Sequence, residues 1–82
     1  MNSEYTQKFD PQENKDASVR EVLNSVYNAL EEKGYDPISQ IIGYILSEDP
    51  IYITNHKNAR TLIRSIDRYE LLQILINSYL EK

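Results

Sequence analysis

The stretch that decides the fold is Leu30-Glu31-Glu32-Lys33-Gly34-Tyr35-Asp36-Pro37-Ile38-Ser39-Gln40-Ile41-Ile42-Gly43-Tyr44-Ile45-Leu46-Ser47-Glu48-Asp49-Pro50-Ile51-Tyr52-Ile53. Gly34 after Lys33 is a helix stop, because glycine enters the left-handed conformation at little cost. Asp36-Pro37 is a helix start, with aspartate as cap and proline at the first helical position. Ile38, Ile41, Ile42, Ile45 and Leu46 then recur at helical spacing and define an apolar face. Asp49-Pro50 repeats the break. Ile51, Tyr52 and Ile53 favour strands, but no second strand is on offer, so the spacing predicts one short helical turn at 49–53.

Gly43 lies inside the second helix, at a cost near ~1 kcal/mol against alanine. Close packing against another backbone explains it, as does a hinge or a partner contact. Upstream, Val19, Val22, Leu23, Val26 and Leu30 form one stripe, and Ser18 with Glu21 makes a capping box, so a first helix is expected over 18–33. Downstream, Ala59, Leu62, Ile63 and Ile66 face inward from a third helix over 55–65. Asp67-Arg68-Tyr69-Glu70 is a second capping box, and Ile66 and Leu71 are placed for a hydrophobic staple. Leu71, Leu72, Leu75, Ile76, Tyr79 and Leu80 give a fourth helix, 68–81, a wide apolar face. Ile42 and Leu75, each mid-helix, are expected in the core.

The expected fold class is therefore all-α: a small bundle of four helices plus a short helical turn. Residues 1–15 lack hydrophobic periodicity and read as a flexible tail, leaving 16–82 as the helical domain. Eighty-two residues make a single domain whose stability is marginal on its own. The surplus apolar surface of the second and fourth helices points to a homodimer. Seven tyrosines stand against one phenylalanine. Tyr27, Tyr35, Tyr44, Tyr52 and Tyr69 flank the apolar faces, as core rim or as an interface.

No cysteine is present, so there is neither a disulfide nor a thiolate metal site. No apolar run approaches the roughly 20 residues of a membrane span, and the N-terminus has no secretory core, so a cytoplasmic protein without membrane insertion is expected. His56 is the single histidine, which makes a poor metal site and reads as surface. The pairs Glu31-Glu32 and Glu48-Asp49 sit at helix ends, where solvation, not acid–base catalysis, is the expected role. Phosphate loops, nucleophile elbows and zinc-helix motifs are lacking. The expectation is a protein that is not an enzyme and needs no cofactor.

Net charge is −4, unevenly spread: ten of the thirteen acids fall in residues 1–50, and five of the nine bases in 51–82. Lys57, Arg60, Arg64 and Arg68 are spaced by three, four and four, and on a continuous helix they would share one face. That face is either a solvated edge pairing with the acidic half or an anion, phosphate or partner dock, since guanidinium binds phosphate in bidentate fashion. A small nucleic-acid-binding regulator using the same stripe is the alternative function. The helix 37–47 carries no base, which counts against a recognition helix, and the overall charge argues against nucleic acid as partner.

Ala29-Leu30-Glu31-Glu32-Lys33-Gly34-Tyr35, Pro37-Ile38, Gln40-Ile41, Gly43-Tyr44, Asp49-Pro50 and Tyr52-Ile53 together resemble the IreB family, small regulatory phosphoproteins of Gram-positive bacteria. Val26-Tyr27, Ala59-Arg60, Ile63-Arg64 and Arg68 fit as well. The resemblance implies a dimer and a substrate of a transmembrane Ser/Thr kinase with extracellular PASTA repeats, reset by a cognate phosphatase. It implies a role in cell-envelope stress response or antibiotic tolerance through a downstream protein that the sequence does not identify. The family pattern places a threonine two residues before a base and three before phenylalanine, and Thr6-Gln7-Lys8-Phe9 fits it. Ser3 stands where the family has a second threonine, and Thr54 where it often has proline. Thr6 and Ser3 are thus the phosphorylation residues that the resemblance implies.

Overall fold

In the computed structural model, the backbone is described for residues 11–82 and side chains from Lys15 onward. Four α-helices follow one another: α1 Pro11–Glu32, α2 Pro37–Ser47, α3 Ala59–Arg64 and α4 Arg68–Leu80. Two single 3-10 turns, Pro50–Tyr52 and His56–Asn58, lie between α2 and α3. The described residues contain no strand.

The boundaries of α2 follow the sequence rules. Asp36 caps it, accepting from the Ser39 backbone N–H at 3.4 Å and from the Ser39 hydroxyl at 2.9 Å. Gly34 sits at φ +87°, and the Tyr35 N–H returns to the Leu30 carbonyl at 3.0 Å, which closes α1 as a glycine C-cap does. Asp49 accepts from the Ile51 N–H at 3.0 Å and sets up the first 3-10 turn where a short turn was expected. Asp67 accepts from the Glu70 N–H at 3.1 Å at the start of α4.

Three expectations change. First, α1 starts at Pro11, not at 18, so Ser18 and Glu21 lie inside a helix and form no capping box. Residues 12–18 contain neither glycine nor proline, and proline at the first position is compatible with helix. Residues 11–15 of the expected tail are therefore helical, and residues 1–10 lie outside the described structure. Second, the third helix is not continuous from 55. Lys57 and Asn58 are both left-handed, at φ 53° and 62°, and the α-helix begins only at Ala59. Third, the α2 and α4 faces are less buried than their spacing suggests. Ile42 is 50% exposed and Leu75 37%, so neither belongs to the core.

The core comes from α1, α2, α3 and the connection between α2 and α3. Val26, Ala29, Leu30, Tyr44, Ile53, Ala59 and Ile63 form one buried cluster, with Val22, Ile41, Ile45 and Leu62 packed around it. Val19 on α1 and Leu71 on α4 are also buried, outside that cluster. Tyr44 is thus a core residue, while Tyr27, Tyr35, Tyr52 and Tyr69 stay exposed.

Gly43 packs against a side chain instead of a backbone. A Cβ at this position would come within 2.6 Å of the Tyr52 ring. The ring belongs to the 3-10 turn whose Tyr52 carbonyl accepts from Gln40 Nε2 at 2.9 Å, so it has little freedom to withdraw. Overpacking by Gly43→Ala should cost about 1–3 kcal/mol while helix propensity returns ~1 kcal/mol, so the domain should lose up to about 2 kcal/mol. Urea denaturation of the two chains measures the sign directly.

Candidate interaction surfaces

The basic residues are dispersed by the break before α3. Arg60 turns inward, its Nε donating to the Ile53 carbonyl at 2.8 Å. Arg68 opens α4 and donates to the Ile45 carbonyl and to the Glu48 carboxylate. Lys57 lies 3.3 Å from Glu32 Oε1. Arg64, at the end of α3, is exposed and makes no hydrogen bond or ion pair among the described residues. The shared cationic face expected of Lys57, Arg60, Arg64 and Arg68 does not form, because one of the four is left-handed backbone and another begins a separate helix. Arg60 and Arg68 are instead interior clamps, each satisfying a carbonyl at an element end that the helical ladder leaves open. Loss of that continuous stripe removes the basis of the nucleic-acid reading.

His56 is not isolated at the surface. Its Nε2 lies 2.7 Å from Glu32 Oε1, so the end of α1 is tied to the second 3-10 turn by Glu32, His56 and Lys57 together. No spacing rule could have found this contact, since the partners are 24 residues apart. The His56 hydrogen bond, then that of Lys57, lowers the Glu32 pKa below its ordinary 4.5. A carboxylate depressed in the folded state contributes stability that is present above its unfolded pKa and lost as pH falls through the folded one. Glu32→Gln should therefore flatten the acid limb of the stability profile below about pH 4.5. Thermal melts from pH 3 to 7 of both chains show it, with curves converging at the acid end. Among the described residues, no cluster of His, Cys, Asp or Glu is arranged to hold a metal ion.

The larger surface feature is apolar. Leu23 and Tyr27 on α1, Ile38, Ile41, Ile42 and Ile45 on α2, and Leu75 on α4 line an open groove of about 300 Å³. The Ile side chains that sequence periodicity assigned to the core form its wall. α4 carries a second apolar side. Tyr69, Leu72, Ile76, Tyr79 and Leu80 are all exposed, and Tyr69, Leu72 and Ile76 border a shallow groove of about 340 Å³ with Gln73. No described helix is long and apolar enough to cross a membrane.

The domain is small and all-helical, with two uncovered apolar surfaces and with Arg60 and Arg68 turned inward. The family model for the IreB regulatory phosphoproteins matches residues 4–81, nearly the whole chain, and the chain belongs to that family. Thr6 lies within the matched stretch and Ser3 outside it; both lie outside the described residues.

Proposed function

We propose that this is a non-enzymatic, cytoplasmic regulatory phosphoprotein, a homodimer phosphorylated on Thr6 by a PASTA-type transmembrane Ser/Thr kinase and reset by the cognate phosphatase. Its output tunes the cell-envelope stress response or antibiotic tolerance through a downstream protein. The observation that carries this reading is the family match over residues 4–81, which takes in the Thr6-Gln7-Lys8-Phe9 segment. Ser3 is the second candidate acceptor.

The homodimer rests on the groove between α1, α2 and α4. Its Ile38 and Ile42 expose half or more of their surface, an arrangement that a second copy of the same face can cover isologously. An 82-residue chain also buries a modest fraction of its surface alone and gains stability from association.

In-vitro treatment with a purified kinase domain of this class, followed by peptide mass spectrometry, tests the central claim. Phosphate should map to Thr6, and Thr6→Ala should remove most of the incorporation. Phosphate mapping to Tyr5, or to residues 15–82, would overturn it.

A further inference from the structure

Leu71 is the only buried residue among the thirteen of α4. It lies outside the core cluster, every member of which comes from residues 26–63. Two further contacts sit in the same first turn. Arg68 donates to the Ile45 carbonyl, one of the last four of α2 that the helical ladder leaves open, and pairs with Glu48. Lys15 lies 2.7 Å from Glu70, but both side chains are well exposed, so this pair contributes little. Beyond the first turn α4 stands off. A cleft of about 280 Å³ lies between it and α1, with Arg20 and Asn24 on one side and Asn77 and Ser78 on the other. Leu75, Ile76, Tyr79 and Leu80 are exposed.

α4 is therefore a helix fixed at one end. Its link to α3 is Ser65-Ile66-Asp67, with extended backbone at Asp67. Rotation there carries α4 away and leaves the cluster of residues 26–63 closed. Elements with few buried apolar contacts open at lower free energy than the core they rest on. Thirteen residues make a marginal helix when isolated in water, so α4 unwinds once released.

We propose that α4 opens as one unit from an intact core of α1, α2 and α3, that Leu71 and Arg68 hold it shut, and that association through the α1–α2–α4 groove locks it. Leu75 is the α4 wall of that groove. A second copy closed over the groove needs this wall in place, so it binds the shut form and shifts the equilibrium toward it by mass action. The locking half rests on the groove being the association surface; the opening half does not.

Hydrogen exchange of the full chain in sub-denaturing urea, read residue by residue by NMR, tests both halves. The amides of 72–80 should share one opening, with faster exchange and a smaller urea dependence than those of Val26, Leu30 and Tyr44. Arg68→Gln should speed exchange of 72–80 by roughly tenfold or more, because a charged donor to a carbonyl and a carboxylate is lost. Ile53→Val weakens the core without touching the α4 attachments. It should speed Val26, Leu30 and Tyr44 by roughly two- to tenfold and leave 72–80 unchanged, since the core stays closed when α4 opens. Equal urea dependence in α4 and core, or α4 amides that speed up with Ile53→Val as the core amides do, overturns the opening. No change at 72–80 in Arg68→Gln overturns the clamp. In Ile42→Glu shown to be monomeric by sedimentation, 72–80 should exchange faster than in the associated parent, and unchanged rates there overturn the locking alone. An Ile42→Glu chain that still associates overturns the groove as the association surface, with the opening result intact.

Discussion

Leu30→Ala is expected to destabilise the domain by about 3–5 kcal/mol, read as a lowered urea midpoint at unchanged slope. Leu30 is fully buried in the cluster shared by α1, α2, α3 and the α2–α3 connection. Truncation there removes the transfer free energy of the side chain and leaves a cavity that four elements would have to close together. A domain of this size has roughly 4–12 kcal/mol of stability in total, so the variant sits near unfolding at body temperature. Ile63→Ala, at an equally buried position of α3, should behave alike. A loss below about 1 kcal/mol, short of the range for buried leucines, would mean that the cluster is not the centre of the fold.

Ile42→Glu should leave the fold of the isolated domain in place and disrupt association. Ile42 lines the open groove between α1, α2 and α4 and is already half exposed. In a dimer closed over this groove the introduced carboxylate would be buried without a partner, at about 2–4 kcal/mol. That corresponds to roughly a 30- to 1,000-fold weaker dimer dissociation constant. Sedimentation equilibrium on the parent and variant chains, with far-UV circular dichroism as a check on folding, measures both parts. A parent chain that stays monomeric at high concentration, or a variant that associates as well as the parent, would remove this groove as the dimer surface. The contrast with Leu30 is the useful part, because the two residues look alike in sequence and differ in what covers them.

The local signals in the sequence were strong because they act over a few bonds. Gly34, Asp36-Pro37, Asp49-Pro50 and Asp67 each place a cap or a stop by hydrogen bonds within about one turn, and each lies where its residue type puts it. The all-helical class, the ends of α2 and the start of α4 followed from them, as did the family, whose residues cluster in the same stretch. Periodicity also told which side of each helix is apolar. It could not tell whether that side meets the chain's own core or open surface, because burial is set by what packs opposite. Ile42 and Leu75 were placed inside on spacing alone, and the geometry of α1 and α4 leaves them lining a groove. The basic stripe failed for a related reason. Its common face required helical φ and ψ at every intervening residue, and Lys57 and Asn58 turn left-handed instead. The Glu32–His56 contact and the closeness of Gly43 to Tyr52 depend on how distant segments of the chain are brought together, which only tertiary packing decides.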